Sequence, residues 1–177
     1  MATTSEAPTA AAAATHTTVQ SSLGDLTVVA RGGAVTGLYF PHHWYLPDRT
    51  TFGEYRDDGF DGVRRQLDEY LAGERREFDL PVDVSGSPFQ EQVWELIKQI
   101  PYGVTVSYGE LARQLGDGVT AQEVGAAVGR NPVSIIIPCH RVVGANGGLT
   151  GYAGGLHRKR TLLDLEQDVA GRSARLF

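Results

Sequence analysis

Residues 107–130 read SYGELARQLGDGVTAQEVGAAVGR, and this stretch decides the fold of the second half of the chain. Ser107 is followed three residues later by Glu110, and Thr120 is followed three residues later by Glu123, which is the spacing of a capping box at a helix start. A short glycine-containing turn separates the two predicted helices. Two short helices joined in this way predict a helix-turn-helix, a motif that binds DNA but also occurs as plain packing.

Further helices are predicted on both sides of this motif. The sequence SPFQ at residues 87–90 supplies an N-cap serine, a proline at the first helical position and a glutamine at the third. Residues 156–167 have leucines on one helix face and predict the last helix. We therefore expect a mainly α domain with a helix-turn-helix, winged-helix-like, over residues 86–168, and a tail over residues 169–177.

The first half of the chain predicts a different class of structure. Residues 26–30 and 34–40 are rich in β-branched and aromatic side chains and predict strands, while residues 60–72 have the apolar spacing of a helix. We expect an α/β domain, a small sheet with a helix, over residues 17–85. Residues 1–16 are rich in Ala and Thr and predict a disordered tail without the features of a signal peptide.

Charge is unevenly distributed along the 177 residues. The formal net charge of −5 by itself argues against a nucleic-acid partner. The stretch from Val124 to Leu163, however, has no carboxylate, and it carries Arg130, Arg141, Arg158, Lys159 and Arg160. Such a stretch indicates a surface that faces a polyanion, or else chance together with a solvated helix end. No apolar run is long enough to span a membrane.

The single cysteine, Cys139, excludes an internal disulfide and a cysteine-cluster metal site. It follows Pro138 and the apolar residues 135–137, which predict a buried extended segment. The neighbouring His140 and cationic groups would lower the pKa of the thiol and favour the nucleophilic thiolate. An isolated cysteine is more often a small buried hydrophobe. The residues alone therefore make Cys139 a candidate nucleophile.

His140 is the candidate base for this thiol. Adjacent residues of an extended chain point to opposite faces, so we expect a bridging water rather than direct contact between Cys139 and His140. The second imidazole nitrogen needs an acceptor, and Glu166 lies near the apolar face of the last helix, where a carboxylate needs a partner. An exposed residue at a frayed helix end would fit the same pattern. Arg141 is a candidate bridge between the two halves.

Residues 131–143, NPVSIIIPCHRVV, resemble the active-site signature of the O6-alkylguanine-DNA alkyltransferases. The resemblance covers most of residues 87–167 in order and spacing, and residues 17–84 fit the N-terminal α/β domain of that family. Its other matching segments are Phe89-Gln90, Val93-Trp94, Ile100–Gly103, Ser107-Tyr108, Gly151–Gly155 and Leu162–Glu166.

The resemblance implies repair of DNA by direct reversal. An alkyl group would move from O6 of guanine, or O4 of thymine, to Cys139 in one irreversible step, so that each molecule acts once. The target nucleotide would have to leave the duplex, because a buried thiol cannot otherwise reach O6. The transfer itself would need no metal or small-molecule cofactor, since the thiolate is the reagent. Some relatives bind a structural zinc in the N-terminal domain, but that site needs cysteines that are absent here, so we expect no metal. We expect a monomer that binds double-stranded DNA through the minor groove in the cytoplasm, associated with the nucleoid in a prokaryote.

The resemblance also implies roles for single residues. In the catalytic set, Cys139 would accept the alkyl group, and His140 and Glu166 would form the water-linked relay that activates its thiol. Asn131 would brace the turn that holds the active site, and Tyr108 would donate toward the flipped base. Backbone of the active-site segment and the wall of the alkyl pocket would bind the substrate through Cys139, Val142, Tyr152, Ala153 and Gly154. The recognition helix would contact DNA through Thr120, Ala121, Gln122, Gly125, Ala126 and Arg130.

One position departs from the family pattern. The second residue of the recognition helix is normally an arginine that fills the gap left by the flipped nucleotide, and here it is Gln122. Glutamine is shorter and neutral, and Glu123 adds a carboxylate beside it. We expect weakened duplex binding or flipping, with Arg130 in partial compensation.

Three other classes of function are alternatives to alkyl transfer. A non-catalytic alkyltransferase-like lesion-binding protein usually has tryptophan in place of the cysteine, and Cys139 argues against it. A helix-turn-helix regulator with an incidental thiol would bind a specific operator. A Cys–His hydrolase lacks a convincing oxyanion site in this sequence.

Overall fold

The first half of the chain forms a four-stranded sheet with one helix. The computed structural model describes residues 12–175. The elements of this half are β1 (Ala14–Val19), β2 (Leu26–Arg31), β3 (Ala34–Tyr39), β4 (Glu54–Tyr55) and helix α1 (Asp61–Leu71). The strand order in the sheet is β3-β2-β1-β4. β2 pairs antiparallel with β1 and β3, and β4 pairs parallel with β1. The predicted α/β domain is confirmed.

The second half is mainly helical. Its elements are α2 (Pro88–Lys98), β5 (Val106–Ser107), α3 (Tyr108–Leu115), α4 (Ala121–Gly129), β6 (Val142–Val143) and α5 (Leu156–Ala174). The three predicted capping boxes are all present, at Ser87, Ser107 and Thr120. Because each box satisfies backbone N–H groups at a helix start, the sequence signal located these helices correctly. The helix-turn-helix of α3 and α4 is confirmed.

The two halves share one continuous cluster of buried apolar side chains. They are also joined through backbone, because the N–H of Leu38 in β3 donates to the carbonyl of Pro132 at 2.8 Å and the N–H of Ser134 donates to the carbonyl of Leu38 at 3.3 Å. The parallel pair of β5 and β6 places Ser107 opposite Val143. The segment between α4 and β6, which contains Cys139, is therefore held by both halves.

The structure differs from the predicted tails at both ends. β1 begins at Ala14, within the predicted tail of residues 1–16, and residues 1–11 lie outside the described part. α5 continues to Ala174, through most of the predicted tail of residues 169–177, of which residues 176–177 are outside the described part. The part of α5 beyond residue 168 packs closely against Gly103, since a Cβ added at Gly103 would lie 3.0 Å from the Cβ of Ala170. Within residues 12–175, no helix is long and apolar enough to cross a membrane.

Candidate active site

Cys139 is 3% exposed and lines a cavity of about 420 Å³. The cavity has three walls, contributed by helix α4, by residues 150–153 and by the segment that follows β3. Most of the lining consists of apolar side chains and glycine. A thiol in such a place is accessible to a ligand that fills the cavity while being shielded from bulk water.

The apolar residues before Cys139 form a turn, so the predicted extended segment is wrong. Ile135 has a φ of +71°, and Cys139–Arg141 form a single 3-10 turn. The three isoleucines favour a strand by composition, but the side chain of Asn131 imposes a turn. Its Nδ2 donates to the carbonyl of Ile137 at 2.9 Å, and its Oδ1 accepts from the N–H of Val133 at 3.0 Å.

This geometry fixes the position of Cys139 before any ligand arrives. It also removes the basis for the expected opposite orientation of Cys139 and His140, since that argument assumed extended backbone. Asn131 is 3% exposed and bonds on both sides of the turn. A side chain in that position braces the turn.

Burial raises the pKa of the Cys139 thiol, and the opposing effects of Asn131, Lys159 and Tyr152 do not outweigh it. The expected lowering of this pKa by neighbouring groups is therefore not found. A thiol with a raised pKa stays protonated at neutral pH. Because only the thiolate is a good nucleophile, a reaction at Cys139 needs a base that removes its proton.

His140 and Glu166 form a buried pair. Nε2 of His140 lies 2.9 Å from Oε1 of Glu166, and the two residues are 0% and 1% exposed. A carboxylate can only accept, so Nε2 carries the proton and Nδ1 is the unprotonated nitrogen. Nδ1 is buried and makes no hydrogen bond with residues 12–175.

Burial lowers the pKa of His140, although the hydrogen bond to Glu166 opposes this effect. The imidazole is therefore neutral at physiological pH. A neutral imidazole with one fixed N–H and one free lone pair is the form that can accept a proton.

Glu166 is the centre of the buried polar network. Nη2 and Nε of Arg141 donate to it at 2.7 and 2.9 Å, and the hydroxyl of Tyr70 donates to its Oε1 at 2.7 Å. Burial alone would raise the pKa of Glu166, but the hydrogen bonds from His140 and Arg141 outweigh it and lower the pKa to about 2. The carboxylate is therefore ionised and holds the imidazole in one tautomer.

Arg141 is not the bridge between the halves that the sequence predicted. Its guanidinium bonds to Glu166 and to the carbonyl of Ile100, and both of these residues belong to the second half. Tyr70 of α1 makes one bridge through Glu166. Arg158 makes another, with Nε donating to the carbonyl of Leu23 at 2.7 Å. Neither bridge has a local sequence signal, because both contacts join residues far apart in the chain.

Lys159, which the sequence analysis grouped with the cations of a surface facing a polyanion, lies inside the protein instead. It is buried, and its Nζ donates to the carbonyls of Val142 at 2.6 Å and Thr150 at 3.1 Å. Burial lowers its pKa to about 8, against the opposing effect of Cys139. Lys159 precedes Leu162 by three residues and Glu166 by seven, and this helical spacing puts it on the buried face of α5. The same spacing could have revealed its burial in the sequence.

Tyr108 lies at the start of α3 and lines the cavity. Its hydroxyl donates to the carbonyl of Thr150 at 3.4 Å. The structure thus brings Tyr108 and Val142 to one region, because Tyr108 directly follows β5 and Val142 belongs to β6, which pairs with β5. Cys139 lies three residues before Val142 and lines the same cavity as Tyr108. The backbone of Val142 is the part expected to read the base, and its carbonyl accepts a hydrogen bond from Lys159.

The loop of Tyr152, Ala153 and Gly154 is buried against the N-terminal half. The rings of Phe40 and Tyr152 pack edge to face with centroids 5.7 Å apart, and a Cβ on Gly154 would overlap the Phe40 ring. The N–H of Trp44 donates to the carbonyl of Ala153 at 2.9 Å. The N-terminal half therefore completes the site, through Phe40 and Trp44.

Helix α4 presents its small residues to the cavity. The residues at the start and in the middle of this helix that line the cavity include Ala121, Gln122, Gly125 and Ala126. Gly125 is half-buried, and the other three are exposed. Thr120 is the N-cap.

The ends of α4 are fixed by charged side chains. Oε2 of Glu123 accepts from the N–H of Thr120 at 2.8 Å, so this carboxylate serves the capping box. The guanidinium of Arg130, expected to contact DNA, stacks over the ring of Tyr45 at 3.6 Å while staying exposed.

The carboxylate-free stretch supplies less surface charge than its composition suggests. Arg141, Arg158 and Lys159 direct their charged groups to internal carbonyls or to Glu166. Arg130 and Arg160 are exposed. Among residues 12–175, no group of three His, Cys, Asp or Glu side chains is placed to hold a metal ion.

Comparison with known proteins identifies both halves. The family model of the 6-O-methylguanine DNA methyltransferase DNA binding domain matches residues 88–168, and that of the ribonuclease-like domain of the same methyltransferase matches residues 15–84. The methylated-DNA–protein-cysteine methyltransferase of Mycobacterium tuberculosis is 47% identical over 163 residues, covering 92% of this chain and 98% of the relative. That of Mycolicibacterium paratuberculosis is 48% identical over 162 residues, with the same coverage.

A solved structure agrees with this result. The crystal structure of Mycobacterium tuberculosis OGT in complex with DNA has a TM-score of 0.83 and 47% identity, and the match covers 88% of this chain and 94% of that one. Both domains, their order and nearly the full length of the relatives are matched. The chain therefore belongs to the 6-O-methylguanine DNA methyltransferase family.

Proposed function

We propose that this protein repairs alkylated DNA by transferring the alkyl group from O6 of guanine, or from O4 of thymine, to Sγ of Cys139. Membership of the family makes it a DNA repair methyltransferase that reverses damage directly. The observation that carries the assignment of Cys139 is the shared cavity, which is lined both by this buried thiol and by the exposed face of α4.

The reaction forms one bond and breaks one. The S–C bond forms as the bond between the alkyl carbon and O6 breaks, and the electron pair of the broken bond stays on the base, which takes a proton from Tyr108. The thiol proton passes to His140 and from there, through solvent, restores the tyrosine hydroxyl, so that the repaired base is left in the DNA with one proton in place of the alkyl group. A thioether offers no ready route back to the thiol, so each molecule acts once. The raised pKa of Cys139 means that its proton must be removed during the reaction.

His140 is the base in this proposal. Its Nδ1 takes the thiol proton through a bridging water, while Glu166 holds the proton on Nε2 and stabilises the imidazolium that forms. Asn131 braces the turn. Support for these roles comes from the burial of all four side chains and from the free lone pair of Nδ1.

Substrate contacts follow from the walls of the cavity. Tyr108 donates its hydroxyl proton toward the purine as negative charge develops there. Backbone groups of Cys139 and Val142 read the guanine edge, and residues 152–154 surround the alkyl group. The target base must be flipped out of the duplex, because the thiol is buried.

Duplex DNA would lie against α4 through its minor groove. The small residues of this helix allow a close approach of a sugar–phosphate backbone, and Thr120, Ala121, Gln122, Gly125, Ala126 and Arg130 form the contact surface. The protein would act as a monomer without a metal or cofactor, in the cytoplasm where its DNA substrate lies, associated with the nucleoid in a prokaryote.

Mass spectrometry tests the proposal. Purified protein is incubated with a duplex that contains O6-methylguanine, and the peptide with Cys139 is examined for a single added CH2. We expect this adduct in the wild type and none in Cys139→Ser. Folded wild-type protein that binds the damaged duplex without the adduct would be a lesion-binding protein. Binding of one specific undamaged sequence without the adduct would indicate a regulator.

A further inference from the structure

The segment between β3 and the short helix of residues 49–52 carries two exposed aromatic side chains at the cavity. Trp44 is 53% exposed and Tyr45 is 58% exposed, yet both line the cavity that contains Cys139. Large apolar side chains exposed together beside a cavity often mark a binding surface. The polar network described above uses neither of them.

The segment is held firmly in this position. The N–H of Trp44 donates to the carbonyl of Ala153 at 2.9 Å. The ring of Trp44 faces Gly151, where an added Cβ would lie 3.6 Å from the indole. On the other side, the guanidinium of Arg130 stacks on Tyr45 at 3.6 Å. The two rings are therefore attached to the active-site loop and to α4.

The backbone of the segment is also strained. Tyr45 has a φ of +56° and His42 a φ of +57°, in the left-handed region that residues other than glycine seldom adopt. Strain of this kind persists where surrounding contacts enforce it, and it clusters at ligand-binding sites. The two strained residues lie on either side of Trp44 in the chain, in the segment that presents Trp44 and Tyr45 to the cavity.

We propose that Trp44 is a specificity-determining residue for the transferred group, and that flat aromatic substituents on O6 pack against its indole. This inference rests on the proposed transfer to Cys139. Trp44 contacts the loop of Gly151 and Ala153, on the side of the cavity assigned to the alkyl group. A methyl group extends from O6 by a single carbon, whereas a benzyl group extends further across the cavity that Cys139 and Trp44 share.

The expected effect of Trp44 follows from aromatic packing. An aromatic pair contributes enough free energy to change a rate about three- to tenfold. Benzyl transfer should depend on Trp44 by this factor, whereas methyl transfer should not. The quantity to measure is therefore the ratio of the two rates, because a general loss of activity cancels in it.

A competition reaction measures this ratio directly. Two duplexes of the same sequence, one with O6-methylguanine and one with O6-benzylguanine, are mixed in excess over the protein. Methyl and benzyl adducts on the Cys139 peptide are then counted by mass spectrometry. We expect the benzyl-to-methyl ratio to fall about three- to tenfold in Trp44→Ala, and to fall much less in Trp44→Phe, which keeps an aromatic face.

Tyr55→Ala is the matched control, because Tyr55 is 50% exposed and does not line the cavity. Its ratio should equal that of the wild type. An unchanged ratio in folded Trp44→Ala, or an equal loss of both reactions, would overturn the inference. If the wild type forms no adduct with either duplex, the proposed function itself fails, and this outcome is distinct from the others.

Discussion

The hydroxyl of Tyr70 donates a hydrogen bond of 2.7 Å to Oε1 of Glu166, the same oxygen that lies 2.9 Å from Nε2 of His140. Tyr70 belongs to α1, in the N-terminal half, and the other two residues belong to the DNA-binding half. All three are buried. The N-terminal half therefore reaches into the network that supports the nucleophile, which gives this half a physical role in the site.

Replacing Tyr70 with Phe should affect both stability and the pH dependence of transfer. Removing one hydrogen-bond donor from the buried carboxylate of Glu166 should lower the free energy of unfolding by about 1–3 kcal/mol. With Arg141 and Lys159 unchanged nearby, the less solvated carboxylate also holds a proton on His140 more strongly. The pKa of His140 should rise, and the acidic limb of the transfer rate should move to higher pH.

Denaturant unfolding and single-turnover rates over a range of pH measure these two effects. Tyr55→Phe is the control, because Tyr55 donates to Asp57 at 3.0 Å on an exposed surface. We expect it to change neither quantity. A Tyr70→Phe protein that is less stable but keeps the acidic limb of the wild type would show that the hydroxyl acts on stability alone.

Glu166 should make the protein sensitive to acid. Its pKa in the folded protein is about 2, below the ordinary value of 4.5, so its contribution to stability is present above the ordinary pKa and is lost as pH falls from one value to the other. Glu166→Gln should remove this pH dependence. It should also cost about 3–5 kcal/mol at neutral pH, because Arg141 is left buried without its partner.

Urea unfolding at neutral pH and at several acidic values tests this expectation. Glu95→Gln is a suitable control, since Glu95 pairs with Lys98 at 3.1 Å on the surface and should contribute less than about 1 kcal/mol. If Glu166→Gln and the wild type lose stability in parallel between the two pKa values, another group controls the acid sensitivity.

Gln122→Arg should increase the rate of repair on a methylated duplex. Gln122 is exposed at the cavity, where an arginine would add both stacking bulk and a cation near phosphates. Gln114→Arg adds the same charge at an exposed position of α3 outside the cavity, and we expect a smaller effect from it. Single-turnover rates on duplex and single-stranded substrates measure the difference. Rates for Gln122→Arg no faster than those of the wild type would disprove the idea.

Gly154→Ala should disturb the active-site loop. The added Cβ would overlap the ring of Phe40, and overpacking of this kind costs about 1–3 kcal/mol. Transfer should slow because Tyr152 and Ala153 move with the loop. Phe40→Leu makes room and should restore part of the rate in the double variant.

Gly148→Ala is the control for this substitution, because an added Cβ there meets no atom within 4 Å. Methyl transfer rates and thermal unfolding of the variants and the double variant test the contact. No recovery of the rate in a folded double variant would mean that the loss at Gly154 has another origin.

Local signals in the sequence predicted the helices well. The capping boxes at Ser87, Ser107 and Thr120 involve residues three apart, so the pattern and the structure depend on the same short stretch. The turn at Ile135 was missed because a side chain outside the isoleucine run, that of Asn131, imposes it.

Parts of the site that come from distant segments could not be predicted in this way. Tyr70 reads as one more apolar-face residue of α1, and its hydroxyl finds Glu166 across 96 positions of the chain. Trp44 reads as a residue of an irregular loop, and its contact with Ala153 depends on how the two halves pack. Glu166 itself was predicted because a carboxylate on a leucine-rich helix face already requires a partner.

The internal use of Arg141, Arg158 and Lys159 has a consequence for how the protein meets DNA. Cations that are bonded within the protein do not displace the counterions that surround a duplex, and such displacement is the main source of tight, non-specific attraction. With Arg130 and Arg160 as the exposed members of that stretch, encounters with intact DNA along this surface should be weak and brief. A molecule that can react once is then free to leave undamaged sites quickly and keep its single thiol for a lesion.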